Sequence, residues 1–255
     1  NTYSITVTDA NGCKGDTSKT IVVNSLPAAS VIANQSICIG GSTVLAATGG
    51  NSYSWSSGET SASITKSPAN TTTFNVTITG ANGCTSEKSV VVTVNSLPNV
   101  TLTSSETSVC KGDSTILTAA GGFSYVWGFG GGTNSEIVFP NSNTTYTVTG
   151  IDTNNCSNSA SVSVGLDSLP QPVINTNSDT ICLGESVTLN TSSFSGYSWS
   201  QGDSSNSITA SPTSSNNTYS ITVTDANGCK GDTTKTIVVN SLPAASVSAN
   251  QSICI

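Results

Sequence analysis

The sequence predicts an all-β chain, a tandem array of small antiparallel β-sandwiches, and three observations predict it. Val, Ile, Thr and Tyr recur in runs whose apolar positions alternate with Thr and Ser, the period of a half-buried strand. The runs are separated by turn chemistry such as Asn11-Gly12, Asn82-Gly83 and Asn227-Gly228, the pair best suited to a tight hairpin with positive φ. The whole pattern recurs about every 72 residues, and self-similarity at a fixed period means an array.

The period is marked by Cys and Trp. Cys38, Cys110, Cys182 and Cys254 are 72 apart, Trp55, Trp127 and Trp199 each follow their Cys by 17, and Cys84, Cys156 and Cys229 follow the Trp by 29 or 30. Leu26-Pro27, Leu97-Pro98, Leu169-Pro170 and Leu242-Pro243 punctuate the handover between repeats. The expected organisation is the C-terminal half of a repeat at 1–26, whole repeats at 27–97, 98–169 and 170–242, and the start of another at 243–255. Pro cannot continue a central strand, so these linkers are read as short and stiff, with the repeats stacked end to end. A longer period overlies the short one: residues 1–39 reappear at 217–255 with Ser18 changed to Thr234 and Ile32 to Ser248. Neighbouring repeats are more diverged, which fits both descent by copying a three-repeat block and a lower tendency of neighbours to exchange strands during folding.

In the middle repeat the strands are expected in this order: A at Val100 and Leu102, B at Ile116 and Leu117, C at Tyr125 and Trp127, E at Ile137 and Phe139, F at Tyr146 and Val148, and G at Val162 and Val164. Several short antiparallel strands, each set holding Cys, Trp and Cys, point to an immunoglobulin-like sandwich.

Composition excludes several function classes. The chain has 255 residues, 7 basic against 14 acidic side chains for a net charge of −7, 8% charged residues and no His. All the basic residues are Lys. His-ligated metal sites are excluded, and the Arg-rich surface that phosphate recognition needs is missing, which argues against nucleic acid as a partner. No apolar stretch approaches the ~20 residues of a bilayer span, so no membrane insertion is expected in this segment. Asn1 to Val7 reads as the middle of a strand, as in a piece of something longer.

Cys182-x-Gly-x-Ser-x-x-Leu189, Tyr197-x-Trp199 and the run Thr218 to Cys229 resemble the Ig-like and PKD-like tandem repeats of very large cell-surface proteins of Bacteroidetes-type bacteria. The resemblance spans every repeat. Trp127-Gly128-Phe129-Gly130-Gly131-Gly132 is similar to the Trp-x-Phe-Gly-Asp-Gly of PKD domains, with Gly131 where that motif has Asp. The resemblance implies an exported adhesin, filament or gliding-type surface protein with a structural or spacer role. It also implies O-glycan acceptors at Ser114, Ser168, Thr180 and Thr233.

Eight regularly spaced Cys, with neither His nor metal-type Cys-x-x-Cys pairs, favour disulfides and an oxidising, extracellular setting. Repeats of this size bury little surface and gain from covalent staples. Strands B and F run in the same direction in such a sandwich, so Cys110, before B, and Cys156, after F, lie at opposite ends, more than ~20 Å apart. A disulfide needs Cα atoms within about 7 Å. The favoured bonds therefore link successive repeats, Cys38–Cys156 and Cys110–Cys229, leaving Cys13, Cys84, Cys182 and Cys254 for partners outside this chain. The alternative is a bond within each repeat: Cys38–Cys84, Cys110–Cys156 and Cys182–Cys229.

Other candidates carry less. Asp9-Ala10-Asn11-Gly12 and Asp225-Ala226-Asn227-Gly228, followed by Asp16 and Asp232, place oxygens near one turn. Calcium wants six to eight, and Gly80 and Glu87 replace the two Asp in the first whole repeat, so a plain hairpin is favoured and no cofactor is expected. Trp55, Trp127 and Trp199 are read as core residues rather than sugar platforms. Gly130-Gly131-Gly132 lacks the Lys-Ser or Lys-Thr of a phosphate loop. Sequons such as Asn34, Asn143 and Asn190 are expected by chance in a chain this rich in Asn, Ser and Thr. No spacing of Ser, Asp and Lys assembles a nucleophile with its base, so an enzyme is not expected.

The expected function is a structural segment of a long extracellular fibre or adhesin stalk on a bacterial surface, partnered by neighbouring repeats and, through weakly charged faces, by lateral self-association into filaments. Its rivals are an adhesive module that binds glycan or protein through its end loops, and a spacer in a secreted polysaccharide-degrading enzyme.

Overall fold

The computed structural model describes residues 1–247; Cys254 and the rest of the final segment lie outside the described residues. Among them every regular element is a β-strand. β1 (Thr2–Thr8) and β2 (Lys14–Thr20) form an antiparallel hairpin. Seven strands follow: β3 (Ser30–Val31), β4 (Gln35–Cys38), β5 (Thr43–Thr48), β6 (Ser52–Trp55), β7 (Ser63–Lys66), β8 (Thr72–Thr79) and β9 (Thr85–Asn95). The next seven are β10 (Thr101–Ser104), β11 (Ser108–Cys110), β12 (Thr115–Ala120), β13 (Ser124–Trp127), β14 (Ser135–Val138), β15 (Thr144–Ile151) and β16 (Ser157–Asp167). The last seven are β17 (Asn175–Thr176), β18 (Thr180–Cys182), β19 (Val187–Asn190), β20 (Gly196–Trp199), β21 (Ser207–Ala210), β22 (Asn216–Thr224) and β23 (Lys230–Asn240).

Each set of seven builds the same two sheets. Three strands pair in the orders β3-β5-β7, β10-β12-β14 and β17-β19-β21, and four in the orders β4-β9-β8-β6, β11-β16-β15-β13 and β18-β23-β22-β20. In the last set one core joins both sheets: Leu189 and Ile208 from the three-stranded sheet pack with Trp199, Tyr219, Ile221 and Ile237 from the four-stranded one. The first set repeats this with Leu45, Ile64, Trp55, Phe74, Val76 and Val90. Two sheets closed over one apolar layer, with strands C, F and G adjacent, make tandem immunoglobulin-like β-sandwiches. Each large aliphatic side chain buried this way contributes about 1.5–3 kcal/mol.

The structure corrects the strand reading in two places. The Cys of the first kind does not sit in a loop before strand B; it ends a short strand, β4, β11 or β18, that pairs in parallel with the last strand of its set. In the middle set, Ile116, Ile137 and Phe139 face out while Leu117 and Val138 are buried. Ile116 and Leu117 are consecutive, so a period of two can bury only one of them. The register sets Ile116 against Ile137 and Leu117 against Glu136, where the flanking sets have Ile64 and Ile208.

The described residues pack as two compact units. One holds Asn1–Val100 with Gly121–Tyr125 and Thr149–Ser159; the other holds Thr101–Ala120, Val126–Val148 and the chain from Ala160 onward. In the first unit, the linkers are held by two Asn side chains, one in a turn and one in β16: Asn82 Nδ2 donates to the Ser25 carbonyl (2.9 Å) and Asn158 Nδ2 to that of Pro98 (3.1 Å).

Candidate functional site: the cysteine junctions

Two local devices position the cysteines. The first is the turn between the two longest strands of each set. Asp225 Oδ1 accepts the N–H groups of Asn227 and Cys229, both at 2.9 Å, and Asp152 Oδ1 accepts those of Asn154 and Cys156, both at 2.8 Å. Asp9 does the same for Asn11 and Cys13 at 2.9 and 2.8 Å. Where Gly80 replaces this Asp, Asn82 Oδ1 accepts the Cys84 N–H at 3.1 Å instead. An Asx turn of this kind fixes the backbone just ahead of the Cys. The turn needs a left-handed residue, supplied by Gly12, Gly83 and Gly228; in the middle set Asn155 takes φ 61° in that place.

The second device is the short parallel strand. Cys38, Cys110 and Cys182 stand directly opposite Asn95, Asp167 and Asn240, the last residues of β9, β16 and β23. Each is held on both sides: Lys111 N donates to Asp167 O (3.0 Å) and Asp113 N to Cys110 O (2.9 Å), with equivalent bonds around Cys38 and Cys182.

The structure joins the two devices covalently across strand sets. Cys38 and Cys156 are disulfide-bonded within the first compact unit, with Cα atoms 5.5 Å apart. Cys110 and Cys229 are bonded within the second, also at 5.5 Å. Cys156 and Cys229 are fully buried. Cys13, Cys84 and Cys182 are unpaired among the described residues, and none of the three bonds within a single repeat is formed. Beside the Cys110–Cys229 bond a shallow depression is lined by Glu106, Asp113, Asp167 and Gly228.

Trp55, Trp127 and Trp199 are buried, and each indole N–H donates to the carbonyl six residues on: Ser61, Thr133 and Ser205, at 2.9, 2.8 and 2.9 Å. Their faces are not open to a sugar. Among the described residues no group of three or more His, Cys, Asp or Glu is arranged to hold a metal.

The crossover after each Trp holds features that periodicity did not show. In the first set Lys66 hydrogen-bonds Glu59 and, with help from the Ser57 hydroxyl, holds its carboxyl down to about 2. In the middle set Gly131 stands in place of Glu59, and a Cβ there would collide with the carboxyl of Glu136, which accepts from the Thr133 hydroxyl at 2.7 Å. Phe129 covers Trp127 at 5.5 Å between ring centroids and meets Tyr146 edge-on at 5.6 Å. The signal for this lay in Gly131, where both flanking repeats carry an acidic residue, Glu59 or Asp203, and in Glu136, where both carry Ile64 or Ile208.

No family model and no curated protein matches the chain. Solved arrays of Ig domains do. The N-terminal eight Ig domains of Down Syndrome Cell Adhesion Molecule are 14% identical with TM-score 0.39, over 94% of this chain and 40% of that one. A Ca2+-stabilized adhesin with which an Antarctic bacterium binds ice is 15% identical with TM-score 0.39, over 94% of this chain and 81% of that one. A three-domain I-band fragment of titin is 12% identical with TM-score 0.41, over 86% of this chain and all of that one. This chain thus spans well under half of the cell-adhesion fragment, and its sandwich assignment rests on the strand order and shared cores above.

Proposed function

We propose that this chain is a non-catalytic structural segment of a long extracellular fibre or surface adhesin stalk, in which disulfides tie consecutive domains. The observation that carries the reading is the pairing of two short-strand Cys with the turn Cys of the following strand set, Cys38 with Cys156 and Cys110 with Cys229. A bond inside one domain serves that domain alone. A bond between neighbours adds a second covalent connection beside the peptide linker and limits how far the junction opens. Structural disulfides persist in oxidising compartments, which supports an extracellular, cell-surface location.

The reading needs no cofactor. The turn Asp that a calcium ion would use is already the acceptor of two backbone N–H groups in three of the four turns. Lateral association into filaments belongs to the same reading, because the exposed Ile116–Ile137 pair lies on a sheet face where no charge opposes contact. The decisive test is non-reducing peptide mapping of the extended protein. Recovery of Cys38 with Cys156 and of Cys110 with Cys229 supports tied domains, and recovery of Cys38 with Cys84 overturns them.

One observation favours a second reading, adhesion through the middle repeat. Val126 and Phe129 are exposed there, where the flanking repeats carry Ser54 and Ser198, and Ser57 and Gln201. A glycan or protein ligand whose binding is lost in Phe129→Ala, with the melting temperature unchanged, would establish it.

A further inference from the structure

Resting on the tied-domain reading, we propose that the disulfide topology removes four of the seven strands of each sandwich, with the Trp they carry, from the path of mechanical tension. The path can be traced along the chain. Cys156 immediately precedes β16, and the chain then runs through β16, the Leu169-Pro170 linker and β17 to Cys182 at the end of β18. Cys84 leads in the same way through β9, the Leu97-Pro98 linker and β10 to Cys110 at the end of β11. Each run is about 26 residues long. At its far end tension passes through the disulfide to a turn Cys of the next repeat, as it does from Cys110 to Cys229. With Cys84 and Cys182 bonded to flanking repeats in the same manner, an array contains two such lines, each made of runs alternating with disulfides.

The remaining strands hang between the lines. β12, β13, β14 and β15 lie in the segment from Cys110 to Cys156, whose two ends are fixed to different neighbours, Cys229 and Cys38. That segment has a contour length of about 150 Å, whereas each 26-residue run reaches only about 90 Å for two repeats. The shorter connection becomes taut first, so the longer one stays slack. Much of the short run is already extended: eleven residues in β16, two in β17 and three in β18. An oxidised array therefore has almost no length to give, while the four strands between the lines, which carry the Trp, are shielded from pulling.

The experiment is single-molecule stretching of full chains joined in register, residues 217–255 of one copy serving as residues 1–39 of the next. Reduced arrays should lengthen in steps of a whole repeat, each the roughly 240 Å contour of 72 residues less the length that the folded repeat already spans. Oxidised arrays should show no such steps and stop at roughly one-fifth of the reduced length. Leu117→Ala should lower the force of the reduced steps and leave the oxidised curve unchanged. Peptide mapping of the same material separates the two ideas. Steps beyond about 90 Å, in arrays that yield Cys38–Cys156 and Cys110–Cys229, overturn the shielding of these strands and leave the tie standing. Steps of about 26 residues per repeat, with Cys38–Cys84 recovered, overturn both.

Discussion

Residues 1–20 and 217–236 are one sequence in two settings, differing only at Ser18 and Thr234. Their local structure is the same. Both form a hairpin in matching register, both close it with Asp accepting two backbone N–H groups, and both stack a threonine hydroxyl pair at 3.0 Å, Thr2 with Thr20 and Thr218 with Thr236. Their surroundings differ. Tyr3, Ile5 and Val7 are each 60% exposed, whereas Tyr219, Ile221 and Val223 are 3%, 0% and 0%. β2 stops at Thr20, but β23 runs on through Ile237 to Asn240 alongside β18. Turn and ladder are thus properties of the segment, while burial, strand length and thiol pairing come from the other strands of the sandwich.

The largest way to break this comparison is at the paired cysteine. Cys110→Ser removes a bond that closes a sequence separation of 119 residues, and a loop of that size is worth about 4–5 kcal/mol by the chain-entropy account. Cys13→Ser, at the copy of Cys229, should change stability by less than about 0.5 kcal/mol, because Cys13 is exposed and unpaired. Urea denaturation of both variants measures the difference, and equal losses would mean that the disulfide contributes nothing through its setting.

The next is a matched pair in the core. Ile221→Ala should cost about 2–5 kcal/mol through lost burial and an unfilled cavity. Ile5→Ala, the same substitution in the same local sequence, should stay within about 0.5 kcal/mol. If the two costs agree, the hairpin itself rather than its sandwich sets the stability of this region.

What could be read from sequence follows the same division. Alternation, Asn-Gly turns and the 72-residue spacing are local or periodic signals, and they carried the strand order, the sandwich class and the places of Trp55, Trp127 and Trp199. The short strands β4, β11 and β18 were hidden because three or four residues such as Ser-Val-Cys or Gln-Ser-Ile-Cys gain strand character only from a parallel partner about 57 positions away. The faces of Ile116-Leu117 and Ile137-Val138-Phe139 were ambiguous because adjacent apolar residues satisfy either register. Glu136 in a core position was unreadable alone; its carboxyl fits because Gly131 leaves the space open.

A smaller effect sharpens the local half of the comparison. Asp225→Ala removes the acceptor of two backbone N–H groups in a turn that presents a buried, bonded Cys. The expected cost is about 1–2 kcal/mol, in the range of a lost helix-cap or turn acceptor. Asp225→Asn keeps an acceptor oxygen and should recover most of it. Asp9→Ala should loosen its own hairpin, seen as faster amide exchange at Asn11 and Cys13, with no change in the unfolding midpoint.

The smallest expected difference lies at the paired lysines. Lys235 reaches Asp179, in the turn between β17 and β18, at 2.8 Å, whereas its copy Lys19 has no acidic partner among the described residues. Both members of the pair remain partly open to water, and ion pairs of that kind contribute about 0.2–1 kcal/mol. Lys235→Ala should therefore lower stability by less than about 1 kcal/mol, with the loss shrinking as salt rises from low ionic strength toward 1 M, where screening is effective over about 3 Å. Lys19→Ala should do nothing at any salt concentration. A loss at Lys235 that persists at high salt would point to packing of its aliphatic stem against the sandwich. In that case even the charged copy position draws its stability from burial rather than from charge.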